Sequence, residues 1–149
     1  MPKITIYTDG SCKNNPGNGG WGAIFLYEKK NGEIIKKIIS GNEKNTTNNR
    51  MELTAVIKAL SILNKQCNVE LFTDSKYVME GATKWLSSWI KKNWKNSQKK
   101  TVLNQDLWEE LIPLLNKHNI NWHWVKGHDN NILNNEVDKI AQSQAEMLK

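Results

Sequence analysis

Ile4-Thr5-Ile6-Tyr7-Thr8-Asp9-Gly10-Ser11 decides how the rest of the chain is read. It is a β-branched run ended by an acid and a glycine. Strand alternation puts Ile4, Ile6 and Thr8 on one face and Thr5, Tyr7 and Asp9 on the other. The Asp9 carboxylate then stands at the strand's C-terminal lip, which in an α/β sheet is where ligands bind. Alone, such a step says only that a turn begins. A second apolar run, Val69-Glu70-Leu71-Phe72, ends in Thr73-Asp74-Ser75. Two strands finishing on Thr-Asp-Ser-like steps read as two walls of one site.

The 149 residues suit a single domain, 1–149, with one core, and no linker-like stretch divides them. Apolar content of 38% with seven Trp belongs to a folded chain, while no window reaches the ~18 apolar residues of a membrane span. Met1-Pro2-Lys3-Ile4 enters a strand without the apolar core of a signal peptide, so a cytoplasmic protein with no membrane contact is expected. Cys12 and Cys67 form no CxxC pair and are expected as free thiols. The net charge of +6 favours an acidic partner. However, 20 of the 21 basic residues are Lys and 20 residues are Asn, a bias that an AT-rich coding sequence would also produce. Distribution is more telling: Lys84, Lys91, Lys92, Lys95, Lys99 and Lys100 lie between Gly81 and Gln105 with no acid among them.

After Asp9, the segment from Gly10 to Gly20 reads as turn-rich, and Trp21 to Tyr27 as the returning strand. Asn31-Gly32 signals a type I′ hairpin, so Ile34 to Ser40 completes a three-stranded antiparallel meander. The glycine segment has neither the GxxxxGK[ST] nor the GxGxxG spacing of a nucleotide cradle. Gly41 to Thr47 reads as a polar connection, with Thr47 or Asn48 capping a helix from about Asn49 to Leu63. Its buried stripe is Val56, Ala59, Leu60 and Leu63, and four residues before Val56 stands Glu52, placed on the same face in the first turn. An acid there is costly unless a cation or proton meets it.

The second half alternates strand and helix, which requires parallel crossovers. A helix is predicted from Ser75 to about Trp85, another from Asp106 to Asn116 disturbed at Pro113, and a fifth strand from Ile120 to Val125 whose Trp122 and Trp124 pack inward. Between the two helices Trp85, Trp89 and Trp94 interleave with lysines, and Trp85 and Trp89 share a helix face. Trp94 reads equally well as a core anchor, but the lysines make an exposed positive arm that suits phosphates, beside aromatic surface for sugars or bases. After a polar loop from Asp129 to Asn135, a last helix begins near Asn135 and turns Val137, Ala141, Ala145 and Leu148 inward. Asp138, one turn before Ala141, is drawn toward the buried side near that helix's start.

The fold class is therefore α/β, a five-stranded mixed sheet (three antiparallel strands, then two parallel) flanked by helices. Asp9 and Asp74 end strands, Glu52 and Asp138 begin helices on inward faces, and all four converge if the strands are neighbours. Such a cluster needs counter-cations. All-oxygen ligands select hard divalent ions, Mg²⁺ or Mn²⁺, and an open acidic site beside a basic arm fits two-metal cleavage of a phosphodiester. A nucleic-acid binder without activity and a DNA-strand-transfer enzyme share these features.

The chain resembles the type 1 ribonuclease H family of bacteria over nearly its whole length. The resemblance is carried by Tyr7-Thr8-Asp9-Gly10-Ser11-Cys12 with Asn15-Pro16-Gly17 and Gly19-Gly20, by Thr47-Asn48-Asn49-Arg50-Met51-Glu52-Leu53, by Thr73-Asp74-Ser75-Lys76-Tyr77, and by Trp122-His123-Trp124-Val125-Lys126-Gly127-His128 with Asp138. It implies Mg²⁺-dependent endonucleolytic cleavage of the RNA strand of an RNA–DNA hybrid, leaving 5′-phosphate and 3′-hydroxyl ends, by a monomer with no obligate protein partner. Asp9, Glu52, Asp74 and Asp138 become metal ligands, and His128 a mobile-loop histidine assisting proton movement or product release. Asn15 and Asn48 would touch the RNA minor groove, Asn49 the DNA strand, and Thr47 with Asn104 a DNA phosphate. Trp85 and Trp89, with Lys91, Lys92 and Lys95 on the arm, would line the DNA channel. The 2′-hydroxyl and groove shape, not base edges, distinguish such a substrate.

Three positions depart from the family pattern. Asn45 stands where the phosphate pocket often has Arg, Lys76 follows Asp74-Ser75 where many members have Gln or Asn at this substrate-facing position, and the segment 129–136 lacks the usual Gly or Pro. Replacing Lys91, Lys92 and Lys95 with Ala is expected to weaken hybrid binding and flatten its salt dependence, each lost phosphate contact changing the log–log slope by somewhat under ~1. An unchanged slope would reduce these lysines to a solvated face.

Overall fold

Alternation along the central strand sorts the molecule into two layers, in a computed structural model that describes residues 1–127 and 130–148. Five strands, β1 (Lys3–Cys12), β2 (Gly17–Glu28), β3 (Ile34–Thr46), β4 (Asn68–Thr73) and β5 (Asn119–Trp124), form one sheet in the order β3-β2-β1-β4-β5. The first three pair antiparallel, whereas β1 with β4 and β4 with β5 are parallel. Ile6 faces a core with Val69, Leu71, Leu53, Leu60 and Trp108, while its neighbour Tyr7 faces Ile24 and Val137. Helices α1 (Asn48–Ser61) and α4 (Gln105–Lys117) therefore cover one face, and α5 (Ile132–Glu146) covers β1 to β3 on the other.

Strand β1 does not stop at Asp9. It continues to Cys12, with Asp9 opposite Gly22 and Cys12 opposite Gly19, so the expected long glycine turn shrinks to the residues between Cys12 and Gly17. The reason is close approach, not positive φ: a Cβ on Gly20 would lie 2.2 Å from the Ala141 carbonyl oxygen, and one on Gly22 2.7 Å from Ile140 Cγ2. These glycines let α5 seat directly on β2. Likewise β3 runs on through the expected polar connection to Thr46, with Gly41 opposite Trp21. At Asn31-Gly32 the connection is five residues long, and only Gly32 has positive φ (87°). Its amide donates to the Lys29 carbonyl (2.9 Å), so the turn is not type I′.

Thr47 caps α1, its Oγ1 accepting from the Arg50 amide at 3.2 Å. The helix after Asp74 extends past Trp85 in three pieces: α2 (Lys76–Glu80), a π-helical turn (Gly81–Trp85) and α3 (Leu86–Lys91). The wide turn falls where Gly81 meets the Trp108 ring, which a Cβ would approach to 2.3 Å. Pro113 sits within α4 without ending it. The last helix starts at Ile132, three residues earlier than expected, because Asn131 caps it by accepting from the Asn134 amide at 2.9 Å. Asp138 is consequently in its second turn, not at its start. Among the described residues, no helix is long and apolar enough to cross a membrane.

Gly20→Ala is expected to lower stability by about 1–3 kcal/mol, because the Cβ meets helix backbone and cannot be relieved by a rotamer change. Thermal or urea unfolding checks this; an unchanged midpoint would mean that α5 sits less tightly than its contacts indicate.

Candidate active site

Three acids from three elements meet at the C-terminal end of β4. The β1–β4 pairing ends at Tyr7 opposite Phe72, so Asp9 stands just beyond it, beside Asp74 at the end of β4. Glu52, the fifth residue of α1 and so in its second turn, enters from the helical layer and accepts a hydrogen bond from the Gly10 amide. One carboxylate oxygen from each of Asp9, Glu52 and Asp74 lies within 4.8 Å of the others. Asp9 and Glu52 are only 3% and 5% exposed; Asp74 is half-buried. The acids line a cavity of about 310 Å³, together with Ser11, Asn48, Ser75 and the half-buried Asp138. Asp138 stays at its rim, with one oxygen receiving Gln142 Nε2 at 3.0 Å. A larger recess of about 470 Å³ at the opposite end of β1, between Thr5, Leu26 and Ile34, has a single acid in its lining, Glu28, with Lys3 also in its wall rather than a second carboxylate.

Burial, then the Glu52 charge, push the Asp9 carboxyl far above the ordinary range. Burial also raises Glu52, against hydrogen bonds from Asp9, Gly10 and Ser75 that lower it. Asp74 is raised by burial first, with Asp138 adding to it. Among the described residues Asp9 Oδ2 is buried without a hydrogen-bond partner. An unpaired buried carboxylate oxygen within reach of two more acids, in an all-oxygen donor set, fits a hard divalent cation.

The family model described as RNase H matches residues 1–146. The chain belongs to the ribonuclease H family. It is 50% identical to the Ribonuclease H of Rickettsia canadensis (strain McKiel), across 100% of this chain and 96% of that protein. Among solved structures it resembles LC9-RNase H1, a type 1 RNase H with the type 2 active-site motif, at a TM-score of 0.90 and 30% identity over 100% of this chain and 74% of the other. LC11-RNase H1, solved in complex with RNA/DNA hybrid, shares the fold at a TM-score of 0.68 and 19% identity, with 97% of each chain covered. This chain is a ribonuclease H enzyme.

Around the acids of this ribonuclease H, Asn15 and Asn48 are brought together, the Asn48 amide donating to Asn15 Oδ1 at 2.9 Å; Asn49 is exposed beside them. Thr47 and Asn104 are joined through Arg50, whose amide donates to Thr47 and whose Nη1 donates to Asn104 Oδ1 at 3.3 Å. Arg50 also grips Asp106 at 2.8 and 3.0 Å, a fork that sequence reasoning passed over. Trp85 and Trp89 do pair, with centroids 6.0 Å apart, but Trp89 also packs on Trp108 at 5.4 Å and so belongs partly to the core. Trp94 packs against that core too, while Lys91, Lys92 and Lys95 are exposed. His128 and Asp129 lie outside the described residues. Sequence reasoning placed Trp124 inside, yet it is 41% exposed beside Asp74, its Nε1 donating to the Asp74 carbonyl oxygen at 3.2 Å.

Raised carboxyl pKa values give a definite pH dependence. Below about pH 4 these acids are protonated folded or unfolded; as pH rises the unfolded chain releases protons that the fold retains, and stability falls. Metal-free Asp9→Asn is therefore expected to be more stable than the parent at pH 8, by ~1 kcal/mol or more, with the difference vanishing near pH 4. Thermal unfolding in EDTA measures it, and a variant less stable at pH 8 would show that the cluster carries no strain.

Proposed function

We propose that this ribonuclease H cuts the RNA strand of RNA–DNA hybrids with Mg²⁺, Mn²⁺ being able to replace it, and leaves 5′-phosphate and 3′-hydroxyl ends. The observation that carries this reading is the meeting of Asp9, Glu52 and Asp74 within 4.8 Å, with Asp9 Oδ2 buried and unpaired. Two like charges at that separation repel by about 3.5 kcal/mol at an effective dielectric of 20. These three acids, with Asp138 at the rim, would hold the ions. Bound there, two divalent cations supply activation of water and stabilisation of the leaving oxygen.

The remaining roles belong to side chains and backbone. Gly10 holds Glu52 by its amide, and Ser75 adds a hydrogen bond, so that carboxylate is oriented before anything binds. Gln142 fixes one oxygen of Asp138. Asn15 and Asn48, locked to each other on the near rim, face the minor groove, where the 2′-hydroxyl marks the RNA strand. Asn49 faces the DNA strand, and Thr47 with Asn104, tied through Arg50, receives one of its phosphates. Trp85, Trp89 and the lysines of the arm continue that contact. His128 would assist proton movement or product release. The solved hybrid complex of LC11-RNase H1, a protein of the same fold, supports the choice of substrate.

Asp9→Asn and Asp74→Asn are each expected to reduce Mg²⁺-dependent cleavage of a hybrid by at least about a hundredfold while leaving the fold intact. Digestion of hybrid, double-stranded RNA and double-stranded DNA side by side should show cutting of the hybrid's RNA strand alone. Cutting that survives either variant, or equal cutting of DNA, would refute the reading.

A further inference from the structure

Lys76 and Trp124 form a unit that the cluster chemistry does not use. Trp124 closes β5 and remains 41% exposed, yet it is pinned: its Nε1 donates to the Asp74 carbonyl oxygen at 3.2 Å, and the next amide, Val125, donates to the Thr73 carbonyl oxygen at 2.9 Å. The Lys76 ammonium stands 4.6 Å from the centre of the Trp124 ring, within cation–π range. Among the described residues no carboxylate lies within ion-pair distance of it. A surface lysine ordinarily samples many rotamers; here the ring restricts it. Lys76 opens α2 directly after Asp74 and Ser75, which both line the acid cavity, so this cation stands on the Asp74 side of that cavity, whereas Asn48, joined to Asn15, lines it from α1.

A lone ammonium without an acidic partner is a point charge suited to a phosphate. The arm lysines serve the other strand, whereas this cation adjoins the acids that act on the scissile bond. We propose that Lys76, mounted on the Trp124 ring, grips a backbone phosphate of the RNA strand next to the cut, with Trp124 as its positioning residue. The inference rests on the hybrid-cleavage reading above. It explains why Trp124 stays exposed although its ring is fixed, and gives Lys76 a task that Gln or Asn at that position would perform without charge.

The test measures hybrid binding by fluorescence anisotropy over a salt series, in EDTA. Lys76→Gln is expected to weaken binding about three- to fivefold and to reduce the log–log salt slope by about 0.9, one phosphate contact. Lys76→Arg and Trp124→Phe, which keep the cation–π contact, should retain the parent slope; Trp124→Leu should match Lys76→Gln, and the Leu–Gln double variant should be no weaker than either. A single uncharged methylphosphonate beside the cut in the RNA strand should erase the difference between parent and Lys76→Gln. An unchanged slope, additive losses, or erasure only by a methylphosphonate in the DNA strand would overturn the inference while leaving hybrid cleavage standing. A parent protein that fails to bind hybrid at all would overturn both.

Discussion

Like charges forced together are what the rest of this chain must withstand. Three carboxylates within 4.8 Å repel by several kcal/mol when ionised, which is comparable to the roughly 5–15 kcal/mol by which a domain of this size is stable. They stay together because none rides on a loose segment. Asp9 belongs to the central strand, held by β2 on one side and β4 on the other up to Phe72. Asp74 follows β4 directly, where the Thr73 carbonyl is tied to Val125. Glu52 extends from α1, whose Leu53, Val56 and Leu60 are fully buried. Separating the acids would mean opening the sheet or lifting that helix, and either exposes core. The proposed metal site is thus a property of the fold's rigidity as much as of its oxygens.

The same reasoning explains how a strongly charged arm can project without pulling away. Trp89 packs on Trp108, whose Nε1 donates to the Tyr77 hydroxyl at 3.1 Å; that hydroxyl also receives Asn104 Nδ2, and Asn104 receives Arg50. Arg50 is in the first turn of α1, two residues before Glu52. An unbroken series of packed rings and hydrogen bonds therefore runs from the base of the arm to the helix that supplies Glu52. Gly81 permits the closest step in it by letting α2 and α3 pass over the Trp108 ring.

Much of this was legible in the sequence, for identifiable reasons. The strand ends at Asp9 and Asp74 showed in β-branched runs, Glu52 in its spacing from Val56, and the mixed sheet in the order of elements. What stayed hidden depended on neighbours distant in sequence. Gly20 read as a turn residue because nothing local says that α5 lies on it. Asp138 read as a helix start because the Asn131 cap is one Asn in a run of polar residues. Trp124 read as core because strand alternation places it on the face of Ile120 and Trp122, which do pack against the core, and cannot tell that this cover thins before the strand ends. The Arg50–Asp106 fork joins residues 56 positions apart, and no local pattern announces it.

The asparagine bias takes on a different meaning once backbone angles are known. A skewed coding sequence scatters Asn without regard to conformation, at 20 of 149 positions. Yet of the six non-glycine residues with positive φ among the described residues, Asn14, Asn45, Asn93 and Asn104 make up four. Asn is the side chain that best tolerates this left-handed region after glycine, so where the chain must turn that way it has drawn on the residue it has in abundance. This bears on Asn45, which stands where relatives of the family often carry a cation. At φ 51° an arginine would be paying for its charge in backbone strain, whereas asparagine sits with little. The absence of a cation beside the proposed DNA-phosphate pocket and the relaxed end of β3 are two consequences of having asparagine here.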